Sequence, residues 1–111
     1  MKDAQPKTPT GDQLLAILQA LANPHRLRII AALHRGGRTY ISQLARDIGI
    51  SRPWLHLHLQ KLEEAGLVNS QLELSSDGKA LNYFAVSPFA IDLNAAAITQ
   101  AASTLSAKPE L

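Results

Sequence analysis

The stretch Ile41-Ser42-Gln43-Leu44-Ala45-Arg46-Asp47-Ile48-Gly49-Ile50-Ser51-Arg52-Pro53-Trp54-Leu55 decides the fold. Ser42 suits the cap of a short helix over Gln43 to Ile48, with Leu44 and Ile48 turned inward. Gly49 stops that helix where the backbone calls for a left-handed residue. Ser51 then caps a second helix, and Pro53 is tolerated because it lies in the first turn. This helix reaches about Ala65 and ends at Gly66. Two helices joined by a tight glycine turn make a helix-turn-helix.

Outward from this centre the pattern stays regular. Before it, Asn23-Pro24 starts a helix that runs to about Arg35 and ends at Gly36-Gly37. Its expected inner stripe is Leu27, Ile30, Ala31 and Leu33 or His34. Earlier still, Thr10 or Asp12 caps a first helix ending near Leu21. Tyr40-Ile41 is short and β-prone. After the centre, Leu72 and Leu74 alternate with polar residues, Ser75-Ser76-Asp77-Gly78-Lys79 turns the chain, and Asn82 to Val86 returns, which reads as a β-hairpin. Pro88 breaks the pattern, and a last helix is expected from Phe89 or Ala90 to Ser106. The expected fold is mainly α with a small β-hairpin wing, in the order α-α-(β)-α-α-β-β-α, a winged helix-turn-helix. One domain over 10–106 is expected, between a disordered arm at 1–9 and a flexible tail at 107–111.

Composition narrows the functional class. The 111 residues include no cysteine, which removes disulfides, thiolate chemistry and cysteine metal sites together. There is no apolar run of membrane-spanning length, and Met1 to Pro6 has no signal-peptide character, so a cytoplasmic location is expected. The net charge is only +2, but it is unevenly placed. Between residues 25 and 61, Arg26, Arg28, Arg35, Arg38, Arg46, Arg52 and Lys61 face Asp47 alone, whereas residues 62–111 are acidic. A basic middle third suggests one face that meets a polyanion. A chance cluster of solvated charges would give the same composition.

At 100° per residue, Leu55, Leu59 and Leu62 fall on one stripe of the second helix of the pair and face the core. Arg52, Trp54, His56, Leu57, Gln60 and Lys61 form its outer face, the surface expected to enter a DNA groove. Arg52 suits guanine O6 and N7 or a phosphate, Gln60 suits adenine, and Leu57 suits a thymine methyl. Ser51, Gln43, Arg38 and Arg46 are candidates at the helix entry and on the phosphates, and Lys79 at the hairpin tip. Each has a plainer reading as a cap or a solvated residue. His56 and His58 are separated by about 200° around a helix and cannot share an ion as an i, i+4 pair would. A partly buried, hydrogen-bonded His58 is expected. No metal site, cofactor, nucleophile–base pair or phosphate loop is visible, so the chain does not read as an enzyme.

In the last helix Ile91, Ala95, Ile98, Ala102 and Leu105 step by 4, 3, 4, 3, a heptad-like stripe. With Leu14 and Leu18 of the first helix it is expected to contact a second subunit. A homodimer would then meet an inverted repeat on double-stranded DNA.

Leu21 to Ile30, Ile41 to Ser51, His58 to Val68 and Tyr83 to Val86, in this order, resemble the ArsR (arsenic-repressor-like) winged-helix regulators over about residues 12–105. The resemblance implies a dimeric transcription repressor that pairs through its first and last helices. Metal-sensing members carry cysteines in the third helix or a His/Asp set in the last. Here Tyr40 to Leu44 has no thiol, and the last helix has Asp92 but no histidine, so metal sensing at those sites is not expected. The alternative reading is a winged-helix protein–protein module or a low-specificity DNA-coating protein. No effector ligand is indicated.

Overall fold

A computed structural model describes residues 8–106. The tail expected at 107–111 lies outside the described residues, as does the arm expected at 1–9 except for Thr8 and Pro9.

Each helix begins where local chemistry places it. α1 (Gly11–Leu21) opens with a reciprocal capping box: Gln13 N donates to Thr10 Oγ1 at 3.1 Å and Thr10 N donates to Gln13 Oε1 at 2.9 Å. α2 (Pro24–Gly36) is capped by Asn23, whose Oδ1 accepts from His25 N and Arg26 N. β1 (Thr39–Tyr40) runs straight into α3 (Ile41–Ile48). The cap expected at Ser42 is therefore misplaced. Pairing with the hairpin keeps Tyr40 extended, so the helix starts directly after it and Ser42 lies within its first turn.

Gly49 has φ 82° and ψ 34°, the left-handed turn that an L side chain resists. It sends the chain into α4 (Arg52–Glu64). Ser51 takes the N-cap position, but its side chain makes no capping bond. β2 (Val68–Leu74) and β3 (Ala80–Val86) form the wing. The sheet order is β1-β3-β2, antiparallel, with Gln71 opposite Tyr83 and Tyr40 opposite Tyr83 on the other side.

The last helix differs most from expectation. α5 spans only Ala95–Ala102. Asn94 is extended and its side chain accepts from Ala97 N at 2.8 Å, fixing the start there. Residues 87–94 precede that cap and make no helical turn.

The core gathers Ile29, Leu33, Leu44, Leu55, Leu59, Leu62, Leu67, Val68 and Phe84. On α2 the buried pair is Ile29 and Leu33, while Leu27 is exposed, which corrects the expected stripe. α2 is apolar around much of its circumference, so periodicity did not single out a face. The face taken is the one that meets α3, α4 and β3.

Candidate nucleic-acid interface

The core fixes how α4 presents itself. Leu55, Leu59 and Leu62 are buried, so the helix cannot rotate, and Arg52, Trp54, His56, Leu57, Gln60 and Lys61 all face solvent. Ser51 is exposed at its start. Trp54 is 63% exposed and Leu57 53%, so neither packs into a neighbouring loop.

Trp54 is not free of contacts. Its ring stacks on His58 one turn later, with centroids 6.5 Å apart and planes 28° apart. His58 in turn lies 5.4 Å from the ring of His25 on α2. His58 is partly buried as expected, but it is held by this ring stack, and it makes no hydrogen bond among the described residues. The approach of His25 and His58 joins two helices and leaves no spacing signal in the sequence. Among the described residues no group of three or more His, Cys, Asp or Glu converges on a possible metal position.

Burial, then the nearby Arg26 and His25, lower the His58 pKa from its ordinary 6.5. The unfolded chain therefore takes up this proton first as the pH falls. Stability is full above 6.5 and is lost as the pH falls from there through the lower folded value. The urea midpoint should drop between about pH 7.5 and about pH 5.5, and drop less in His58→Gln. An equal drop in both proteins would contradict this assignment.

The other candidates lie on α3, at the hairpin turn and in the link before β1. On α3, Arg46 Nη2 donates to Gln43 Oε1 at 2.7 Å, and Gln43 Nε2 donates to Asp47 Oδ1 at 2.8 Å. Arg46 is exposed and Gln43 half-buried. Lys79 is exposed at the hairpin turn, where its backbone N–H approaches Ser75 Oγ and Asp77 Oδ1. The carboxylate of Asp77 is held ionised by the Ser75 hydroxyl and by the Lys79 amide. It offsets part of the positive charge at the tip. Arg38 departs furthest from a phosphate ligand, because its guanidinium is already engaged by Glu73 on the wing.

The expected pairing surface is also rearranged. Leu14 is 7% exposed within the single chain, so little of it is left for a second subunit. Ile91 lies before α5 and Leu105 after it, so the five-residue stripe is not one helix face. Leu18, Ala95, Ile98, Ala102 and Leu105 are exposed, and so are Leu15 and Leu93, which were not among the residues expected to pair. Among the described residues no helix is long and apolar enough to cross a membrane.

A helix with a locked inner face, reached through a short helix and a left-handed glycine turn and flanked by a β-hairpin, defines a winged helix-turn-helix protein. A helix-turn-helix domain family matches residues 21–71. An HTH-type transcriptional regulator of Methanocaldococcus jannaschii is 43% identical over 56 residues, covering 50% of this chain and 58% of that protein. A probable mercury resistance operon repressor of Streptomyces lividans is 34% identical over 82 residues, covering 74% of this chain and 62% of that one. The chain thus spans about three-fifths of the length of the curated relatives it matches. Among solved structures, the homodimeric winged helix-turn-helix DNA-binding domain of a possible ArsR-family regulator from Mycobacterium bovis superposes with a TM-score of 0.59 at 27% identity. That match covers 68% of this chain and 64% of the other. The chain is thus similar to helix-turn-helix transcriptional regulators, an ArsR-type domain among them, and shares their winged helix-turn-helix fold.

Proposed function

We propose that this protein is a dimeric, sequence-specific DNA-binding transcription regulator that acts as a repressor. α4 enters the major groove, and the wing lies on the backbone or in the minor groove. The observation that carries this reading is the α4 surface. Three buried leucines hold the helix rigid, while Arg52, Gln60 and Lys61 stand exposed beside Trp54 and Leu57. Rigid presentation matters because base recognition depends on hydrogen bonds of fixed geometry. Arg52 reads guanine or holds a phosphate, Gln60 reads adenine, and Leu57 meets a thymine methyl. Arg46 and Lys79 hold the backbone and set the register.

The exposed apolar residues on α1 and around α5 support pairing with a second copy, as does the homodimeric relative from Mycobacterium bovis. A two-fold axis would place two copies of α4 about one DNA turn apart. The repressor assignment draws on the name of the Streptomyces lividans relative. A cytoplasmic location follows from this role.

The test is binding to a random-sequence duplex across a salt series. With roughly six phosphates neutralised, the log–log slope of affinity against salt should be about −5. A flat dependence would overturn the reading. It would favour the protein-contact alternative, for which the apolar exposure of Trp54 and Leu57 is the supporting observation.

A further inference from the structure

We propose that Arg38 is a positioning residue that sets the angle of the wing, and not a ligand of DNA phosphate. The inference rests on the regulator reading above for its functional consequence, but its structural half stands alone. Arg38 follows Gly37 in the link from α2 to β1. Its guanidinium meets the Glu73 carboxylate end on, with Nη1 2.5 Å from Oε2 and Nη2 2.8 Å from Oε1. The same guanidinium lies over the Tyr83 ring, 4.4 Å from its centre. Tyr83 packs edge to face against Tyr40 at 5.9 Å. One side chain thus ties the link before β1 to both strands of the hairpin. Only arginine offers two parallel donors and a flat cationic face at once.

The wing needs such a tie. Leu72 and Leu74, on the sheet face opposite Glu73, are exposed, so the outer half of the hairpin has no core beneath it. The Arg38 contact braces it from the other face. The pairing also sets a cation beside a carboxylate on an element that is to approach DNA, and it occupies the guanidinium fork that a phosphate would otherwise take. The angle of the hairpin in turn sets where Lys79 falls.

Arg38→Lys separates the two roles, because it keeps the charge and removes the fork and the flat face. Hydrogen exchange of the backbone amides in 68–86 is measured on the free full-length chain. Affinity for a random-sequence duplex is measured on the same proteins. As a brace, Arg38→Lys, Arg38→Ala and Glu73→Gln should each speed wing exchange by about threefold to tenfold. Arg38→Lys should weaken duplex binding about as much as Arg38→Ala, with the salt slope unchanged. Wild-type exchange in Arg38→Lys, or a slope shallower by about one unit in Arg38→Ala, would overturn the proposal. Faster exchange with unaltered affinity would overturn the positioning role. Failure of the regulator reading looks different, since the wild-type chain would then bind no duplex while the exchange data still decide the brace.

Discussion

Leu59→Ala should remove about 3 kcal/mol of folding stability, the largest effect of any single substitution considered. Leu59 is buried at the centre of α4, within the cluster that joins α2, α3 and the wing base. Truncation loses the transfer energy of the deleted atoms and leaves a void whose walls come from several elements and cannot all close in. A domain of this size has only about 5–15 kcal/mol in total, so the urea midpoint should fall by a large fraction. Leu57→Ala, two residues earlier, is the internal control. Leu57 is exposed, and its truncation should change stability by less than about 0.5 kcal/mol. If Leu57→Ala destabilises as much as Leu59→Ala, the assignment of inner and outer faces on α4 is wrong.

Gly11→Ala should lower the melting temperature by about 5 °C, although helix propensity alone predicts a gain. Gly11 is the first residue of α1 and is buried against the end of α5. Its N–H donates to Thr104 Oγ1 at 2.7 Å, and Ser106 N donates to Asp12 Oδ1 at 3.1 Å, so the two helix ends are stitched together. A Cβ at position 11 would stand 2.6 Å from Leu105 Cγ and closer still to the carbonyl oxygen of Ala101. The leucine can turn away, but the carbonyl belongs to the backbone, so α5 must shift. Since α1 and α5 carry the exposed apolar residues proposed for pairing, the dimer should weaken as well. Thermal unfolding at fixed protein concentration and sedimentation measure the two effects. A rise in melting temperature would show that propensity wins and that the helix ends are loosely packed.

The parts of the fold that were legible in the sequence are those governed by local rules. Asn23-Pro24 and Thr10 mark helix starts because capping involves only neighbours, and Gly49 marks the turn because few other residues accept its backbone angles. The Ser75–Lys79 turn between alternating residues gives the wing in the same way. What failed depended on the partner surface. Leu27 and Ile29 are equally apolar, and only the packing of α3, α4 and β3 decides that Ile29 goes inside. The alanine-rich run before Ser106 reads as a long helix until the extended Asn94 cap confines it to Ala95–Ala102. Leu14, on a stripe that looks free in isolation, is covered within its own chain. The outer face of α4 was legible because three leucines at helical spacing fix its opposite. The engagement of Arg38 was not, because it needs the register that sets Gln71 against Tyr83 and so brings Glu73 within reach of the β1 link.

The central claim, that this chain reads DNA sequence as a dimer through α4, is tested most directly by selecting bound sequences from a random duplex pool at near-physiological salt. The wild-type chain should enrich one inverted repeat with half-sites about one helical turn apart. A variant carrying Arg52→Ala and Gln60→Ala should lose that enrichment while remaining folded. Absence of any enriched sequence with the wild-type chain, or the same repeat enriched by the variant, would contradict the account.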